Sequence, residues 1–296
     1  SYYSNPAWML KEIAWREGHA LNIKAHFKGS QTLTQHLSLG FSTDVIEQGG
    51  YDFAFLQDQS QNPANYGRDA TASILTGLTT LADKVRAASP SCKVILEETW
   101  TFSSASYGGF TDFPTFETYN DAGAKAMAKA AGTWVSPIGP AFRQVREGGS
   151  GINLYYSDSK HQSEYGAYLK ACVNYLVLFG ERFGADPADC GLTPDRAPSR
   201  RGVAEQSVLG KGGVYFIKKK TNWRNFIERD LPVFSGPPPL FWGDAPAQKP
   251  PLRNIRRMRR KSWPRFTIPR RNTSWWLRTA ETGATIRRIR FPPSSR

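Results

Sequence analysis

The first 190 residues alternate between short apolar runs and longer segments with helical spacing. The apolar runs, which are typical of strands, cover residues 21–27, 51–56, 93–96 and 134–135. The segments with helical spacing cover residues 5–14, 30–39, 69–88, 112–131 and 163–179. Strands that are separated by helices of this length form right-handed β-α-β units. The pattern therefore predicts an α/β fold with a parallel sheet.

One edge of that sheet is the place to look for a functional site. In open parallel sheets, ligands bind outside the carboxyl ends of the strands. The segments that follow the predicted strands are residues 28–32, 57–61, 98–102 and the stretch that leads to Ser163. We therefore expect functional side chains in these four loops.

The net charge of +14 comes from the second part of the chain. Residues 1–194 contain 15 Lys and Arg against 19 Asp and Glu, a balance of −4. Residues 195–296 contain 24 against 6, a balance of +18, and their helix and strand periodicities fade. We therefore predict an α/β domain over 1–194 and a basic extension over 195–296 that is mostly disordered or non-native.

The basic extension also has a functional interpretation. Its basic clusters, for example residues 218–220 and 256–261, alternate with tryptophans such as Trp263, Trp275 and Trp276. Lys and Arg neutralise phosphates, and tryptophans stack on unpaired bases. Any binding of nucleic acid or of another anion is therefore expected through this extension.

Several other classes of protein are excluded. No apolar run approaches the ~20 residues of a membrane-spanning helix. The three cysteines, Cys92, Cys172 and Cys190, lack the Cys-x-x-Cys spacing of a zinc ribbon. The histidines and carboxylates form no pattern that is typical of a metal site. We predict neither a metal nor another cofactor.

The spacing of Asp158 and His161 is the strongest catalytic signal. A carboxylate three residues before a histidine, in a turn that leads into a helix, can accept the imidazole Nδ1–H. The Nε2 atom then faces a cleft as a general base. The alternative is that Asp158 or Ser163 only caps the following helix.

The residues around this pair resemble a known family. Asp158-x-x-His161, followed by Ser163-x-x-Gly166-x-Tyr168-Leu169, is similar to the last motif block of the SGNH (GDSL-type) hydrolases. These are serine esterases on a flavodoxin-like α/β/α sandwich. Further segments resemble the other blocks of one bacterial branch, in order along the chain: residues 1–5, 29–36, 51–60 and 98–100. The resemblance covers residues 1 to about 190.

The resemblance also locates the nucleophile outside this sequence. In this bacterial branch the nucleophilic serine stands in a Gly-Asn-Ser motif, and the register of residues 1–5 puts it two positions before Ser1. Neither Ser1 nor Ser4 matches that position. The resemblance thus implies a three-layer sandwich that lacks its first strand, in a chain that is inactive as it stands.

The resemblance assigns roles to five residues of this sequence. His161 is the base that activates the absent serine, and Asp158 orients the imidazole ring. The backbone N–H of Gly29 or Ser30 and the side-chain amide of Gln59 stabilise the oxyanion. Ser30 stands where this branch has one of two glycines.

Three neighbouring residues keep open interpretations. Gln57 is the second choice for the amide donor. Trp100 either lines a sugar or acyl pocket or packs in the interior. His36 is predicted to be structural.

The resemblance thus implies a serine ester hydrolase that needs no cofactor. Its substrate is a small-molecule or carbohydrate ester, with an acetyl group on a carbohydrate as the leading choice. The resemblance fits a periplasmic or secreted protein. The alternative is a non-catalytic α/β binding protein whose cationic extension recruits nucleic acid or an acidic surface.

Overall fold

The computed structural model describes residues 5–103, 109–185, 188–192, 197–209 and 275–279. The helices in these ranges are α1 (Pro6–Arg16), α2 (Leu33–His36), α3 (Gly40–Glu47), α4 (Asn62–Arg68), α5 (Ala72–Ala88), α6 (Phe113–Ala131), α7 (Ile138–Glu147), α8 (Glu164–Phe179) and α9 (Ala197–Leu209). The strands are β1 (Leu21–Ala25), β2 (Phe53–Leu56), β3 (Lys93–Glu97), β4 (Trp134–Ser136) and β5 (Trp275–Thr279).

The five strands form one sheet in the order β1-β5-β2-β3-β4. Strand β2 pairs in parallel with β3, and β3 pairs in parallel with β4. Strand β5 lies between β1 and β2 and is antiparallel to both. The parallel part of the predicted sheet is therefore confirmed, and a strand from the far end of the chain occupies a central place.

The two faces of the sheet are covered by different sets of helices. Phe55 and Ile95 pack in one apolar cluster with residues of α1, α7 and α8. Their neighbours along β2 and β3, for example Ala54 and Val94, pack in a second cluster with residues of α5 and α6. Because successive side chains of a strand point to opposite faces, the sheet is the middle of three layers. The predicted mixed α/β layering is confirmed.

The sequence also fixes where several helices begin. The Asn5 side chain accepts a hydrogen bond from the Trp8 N–H at 3.1 Å, and Asp112 accepts one from Thr115 at 2.7 Å. Both residues occupy the N-cap position, where such side chains satisfy a free N–H. Helices α1 and α6 thus start where the sequence predicts.

The prediction of one helix over 30–39 is wrong. Ser30 has a left-handed backbone with φ of +59°, which no helix tolerates. Thr32 then caps α2 through its side chain, which accepts from the Gln35 N–H at 3.1 Å. The segment therefore forms the single turn of α2, and a separate helix, α3, follows it.

Two elements lie beyond the predicted boundary at residue 194. In α9, Ala204 and Val208 are fully buried in the same cluster as α8. Strand β5 belongs to the same compact unit as the other strands. The rest of the basic extension, residues 210–274 and 280–296, lies outside the described residues, as do Ser1 and Ser4. None of the helices that the structure describes combines the length and apolarity that crossing a bilayer requires.

Candidate active site

Asp158 and His161 lie on a tight hairpin immediately before α8. Tyr155 and Gln162 form an isolated antiparallel bridge, and the Tyr156 N–H donates to the His161 carbonyl at 2.7 Å. Ser163 then caps α8, because its hydroxyl accepts from the Gly166 N–H at 3.3 Å. The hairpin therefore presents the Asp158–His161 turn at the start of the last long helix of the domain.

The two side chains form the hydrogen bond that their spacing predicts. His161 Nδ1 bonds to Asp158 Oδ2. Asp158 Oδ1 accepts from the backbone N–H groups of Lys160 and His161, both at 2.9 Å. One carboxylate oxygen thus holds the turn and the other holds the imidazole. Asp158 does not cap α8; its backbone contacts lie within the turn, and Ser163 provides the helix cap.

The electrostatics of the pair favour an ionised carboxylate. Partial burial opposes ionisation of Asp158, but the hydrogen bonds from the His161 ring and from two backbone N–H groups outweigh it and lower its pKa. The side chains of His161 and Asp158 are 40% and 37% exposed. An ionised Asp158 stabilises a protonated imidazole, and the exposure leaves the pair accessible from solvent.

Trp100 holds the hairpin in place. Its indole N–H donates to the Lys160 carbonyl at 2.9 Å, so it binds the residue next to His161. The ring is 3% exposed and stacks on Phe142 at 4.7 Å. Of the two interpretations of Trp100, interior packing is therefore the observed one.

Hydrogen bonds join the loops at the carboxyl edge in series. Asp58, after β2, accepts from the Leu33 N–H at 2.9 Å. Thr99, after β3, donates to the Ser60 carbonyl at 2.9 Å. Trp100 then continues the series to the hairpin of His161. The predicted site segments are thus linked into one layer above the sheet.

The loop after β1 exposes the two candidate backbone donors. Gly29 and Ser30 are both exposed. Ser30 adopts the left-handed conformation that favours glycine, which agrees with its place at a glycine position of the family motif.

The two glutamines after β2 have different environments. The Gln57 side chain is buried, and its Oε1 accepts from Lys170 Nζ at 2.7 Å. Gln59 is only partly buried, and its Oε1 accepts from the Gln61 N–H at 2.9 Å. The side-chain oxygen of each glutamine is thus already engaged, and the two residues differ in burial, with Gln59 the more exposed.

Asp58 is a site residue that the sequence analysis missed. Its Oδ1 accepts from both Leu33 N–H and Gln59 N–H, the latter at 2.7 Å. Burial raises the pKa of this carboxyl to about 6, although hydrogen bonds from Leu33, Asn62 and Gln59 oppose the shift. Asp58 therefore positions both loops that carry the candidate oxyanion donors. Its place directly after a buried strand was the available signal.

A buried ion pair lies beneath these loops. Lys170 Nζ is 2.8 Å from Glu97 Oε2, and both side chains are 0% exposed. Asn174 donates to Glu97 Oε1 at 2.7 Å and accepts from Ser136 at 2.6 Å. Burial lowers the pKa of Lys170, and the adjacent Glu97 opposes that shift. A lysine within an otherwise apolar helix was the sequence signal for this network.

His36 lies in the interior, as predicted. It is 1% exposed, and its Nδ1 bonds to Ser42 Oγ at 2.9 Å. Burial, together with smaller contributions from the charges of Lys28 and His26, lowers its pKa to about 4. A neutral imidazole in this position is a core residue.

A cavity of about 260 Å³ opens beside residues 151–155, the segment that leads into the hairpin. It is lined by Ser103, Val145, Arg146, Gly151, Ile152, Asn153, Leu154 and Tyr155. Within the described ranges, no group of three or more His, Cys, Asp or Glu is placed to hold a metal ion.

Comparison with known proteins identifies the fold. No protein-family model and no curated protein sequence matches the chain. A candidate SGNH hydrolase from Slackia heliotrinireducens is 19% identical, with a TM-score of 0.43 over 51% of this chain and 80% of its own. A DUF4886 family protein from Bacteroides uniformis is 18% identical, with a TM-score of 0.58 over 68% of this chain and 88% of its own. In its fold, the chain is similar to this DUF4886 protein.

Proposed function

We propose that the α/β domain is built to hydrolyse esters by an SGNH-type serine mechanism. The observation that carries this proposal is the Asp158–His161 hydrogen bond, on a hairpin tied to the carboxyl edge of the sheet. The family resemblance puts the serine nucleophile before Ser1.

The steps of the reaction use the residues as follows. His161 Nε2 takes the proton of the serine hydroxyl while its oxygen attacks the ester carbonyl. The resulting oxyanion accepts hydrogen bonds from the Gly29 or Ser30 N–H and from the Gln59 NH₂ group. The imidazolium, stabilised by Asp158, then gives the proton to the leaving alcohol. Water releases the acyl group by the same steps.

An extended chain tests the mechanism. We would place a β-strand followed by Gly-Asn-Ser-Phe directly before Ser1, as the family resemblance requires, and measure hydrolysis of p-nitrophenyl acetate. His161→Ala in the extended chain is expected to lower kcat about 10²–10⁴-fold, the usual contribution of a general base. An extended chain with Ala in place of the new serine is the matched control and should be equally slow.

A second control separates catalysis from surface histidine chemistry. His19 bonds to Glu181 and stacks on Phe179, away from the hairpin. His19→Ala should leave the rate unchanged. Equal rates for the extended chain and its His161→Ala variant would refute the proposed mechanism.

For the substrate, the resemblance favours an acetyl group on a carbohydrate. Release of acetate from acetylated xylo-oligosaccharides by the extended chain tests this choice. If simple aryl esters are cleaved and the oligosaccharides are not, the mechanism stands and the carbohydrate substrate is wrong.

A further inference from the structure

The place between β1 and β2 has an unusual occupant. Strand β5 is antiparallel to β1 and to β2, so β1 and β2 run in the same direction. Strands β2, β3 and β4 are parallel to one another. Strand β5 is thus the one reversed strand in the sheet that the structure describes, and it is central. Reversed strands in mostly parallel sheets usually lie at an edge.

This central place needs a strand. Ile23 in β1 and Phe53 in β2 both pair with Leu277, and Ala54 pairs with Trp276. On the β2 side the flanking backbone is interior, since Ala54 and Phe55 are 0% exposed, whereas most residues of β1 are exposed. A buried backbone N–H or C=O without a partner costs about 1–3 kcal/mol. An empty gap between β1 and β2 would leave several such groups.

The occupant is held by backbone pairing with a distant segment. Strand β5 follows β2 by more than two hundred positions, whereas β-α-β units join the other neighbouring strands. Its register places Trp275 beside Ala25 and Phe55, at the carboxyl ends of β1 and β2. The segment therefore enters the sheet from the edge that carries the candidate active site.

We propose that the gap between β1 and β2 is a strand-binding site, and that residues 275–279 fill it as an exchangeable strand. The ligand class is an extended peptide that runs antiparallel to both neighbours and is recognised through its backbone. Addition of a strand to open sheet edges is an established mode of peptide binding. Here the chain supplies its own peptide, and the same peptide in trans can replace it.

A proline variant of the full chain frees the site. Leu277 is at the middle of the register with both neighbours. Leu277→Pro removes a ladder N–H and introduces a ring that central strands do not accept. Leu277→Val, which keeps the N–H, is the matched control.

The probe is a fluorescein-labelled synthetic peptide with the sequence of residues 272–281, followed by fluorescence anisotropy. We expect it to bind the Leu277→Pro chain with 1:1 stoichiometry. Binding to the unaltered and Leu277→Val chains should be at least 10-fold weaker, since their own strand competes. A peptide that carries proline at the position of Leu277 should also bind at least 10-fold more weakly.

Hydrogen exchange provides a second measurement. The amides of Phe53 and Phe55, which face β5 because the neighbouring Asp52 carbonyl faces β3, should exchange faster in the Leu277→Pro chain and regain protection when the peptide is added. A Leu277→Pro chain that keeps its circular dichroism spectrum but binds no peptide overturns the proposal. So does a Leu277→Pro chain whose whole domain unfolds, because β5 would then be an integral strand and not an exchangeable one.

Discussion

Replacing Lys170 by methionine should destabilise the domain strongly and in a way that Glu97 controls. The substitution keeps an unbranched side chain, one atom shorter, but removes the charge 2.8 Å from Glu97 and the donor to Gln57 at 2.7 Å. Breaking a fully buried ion pair by removing one partner costs about 3–5 kcal/mol. The unsatisfied Gln57 oxygen is included in that range, so we expect a loss of about 4 kcal/mol in the free energy of unfolding.

The matched second variant is Glu97→Gln, which keeps an acceptor for Asn174. In the double variant no uncompensated charge remains, so the loss in the free energy of unfolding should fall to about 2 kcal/mol. The coupling energy between the two positions should therefore be well above the ~0.5 kcal/mol expected for independent sites. Urea unfolding followed by tryptophan fluorescence measures all four proteins.

An additive result would refute this reasoning. If the two single losses sum to the loss of the double variant within ~0.5 kcal/mol, Lys170 and Glu97 do not form a coupled pair. A loss below about 1 kcal/mol for Lys170→Met would show that solvent reaches the site.

Four further substitutions test the loops above this pair. Ser30→Gly should raise the free energy of unfolding by about 0.5–1 kcal/mol. Glycine removes the ~1–2 kcal/mol strain of the left-handed backbone but adds entropy to the unfolded chain. Urea unfolding, with Ser30→Ala for comparison, measures the difference. Trp100→Phe should cost about 1 kcal/mol and speed hydrogen exchange in the hairpin, because it deletes the bond to Lys160; unchanged exchange would contradict its positioning role. The two aspartates should respond to pH with opposite signs in urea unfolding from pH 3 to 8. Folding lowers the pKa of Asp158. Its contribution to the free energy of unfolding is therefore present above its unfolded pKa and is lost as pH falls through the folded pKa. Asp158→Asn should abolish that loss. Folding raises the pKa of Asp58 to about 6, so its charge reduces stability as pH rises from about 4 to 6, and Asp58→Asn should remove that decline.

The sequence predicts the fold well where periodicity and caps agree. The strand at Lys93–Glu97 and the helices that follow Asp112 and Ser163 lie where their apolar patterns and cap residues indicate. The prediction of a helix over 30–39 failed because Ser30 has a positive φ, and no propensity scale assigns that conformation to serine. Strand β5 was missed because a strand is stabilised by its neighbours, and those neighbours are distant in the sequence.

The candidate site also contains local contacts, which the sequence predicts, and long-range contacts, which it does not. The Asp158–His161 pair is local, so its spacing alone predicts the hydrogen bond between the two side chains. The contacts that position the pair are long-range: Trp100 to Lys160, and Thr99 to Ser60. The buried partner of Lys170 is equally distant in the chain. Such contacts depend on the packed fold, and a single sequence does not encode them in any spacing.

The pairing of Leu21 with Thr279 has a consequence for how the protein is made. Contacts between residues so far apart raise contact order and slow folding. On the ribosome, β1 and β2 emerge long before β5, the strand that pairs with both of them. We therefore expect the edges of β1 and β2 that face each other to stay unpaired in the nascent domain until synthesis has passed residue 279. Until then these edges are accessible to chaperones and prone to aggregation.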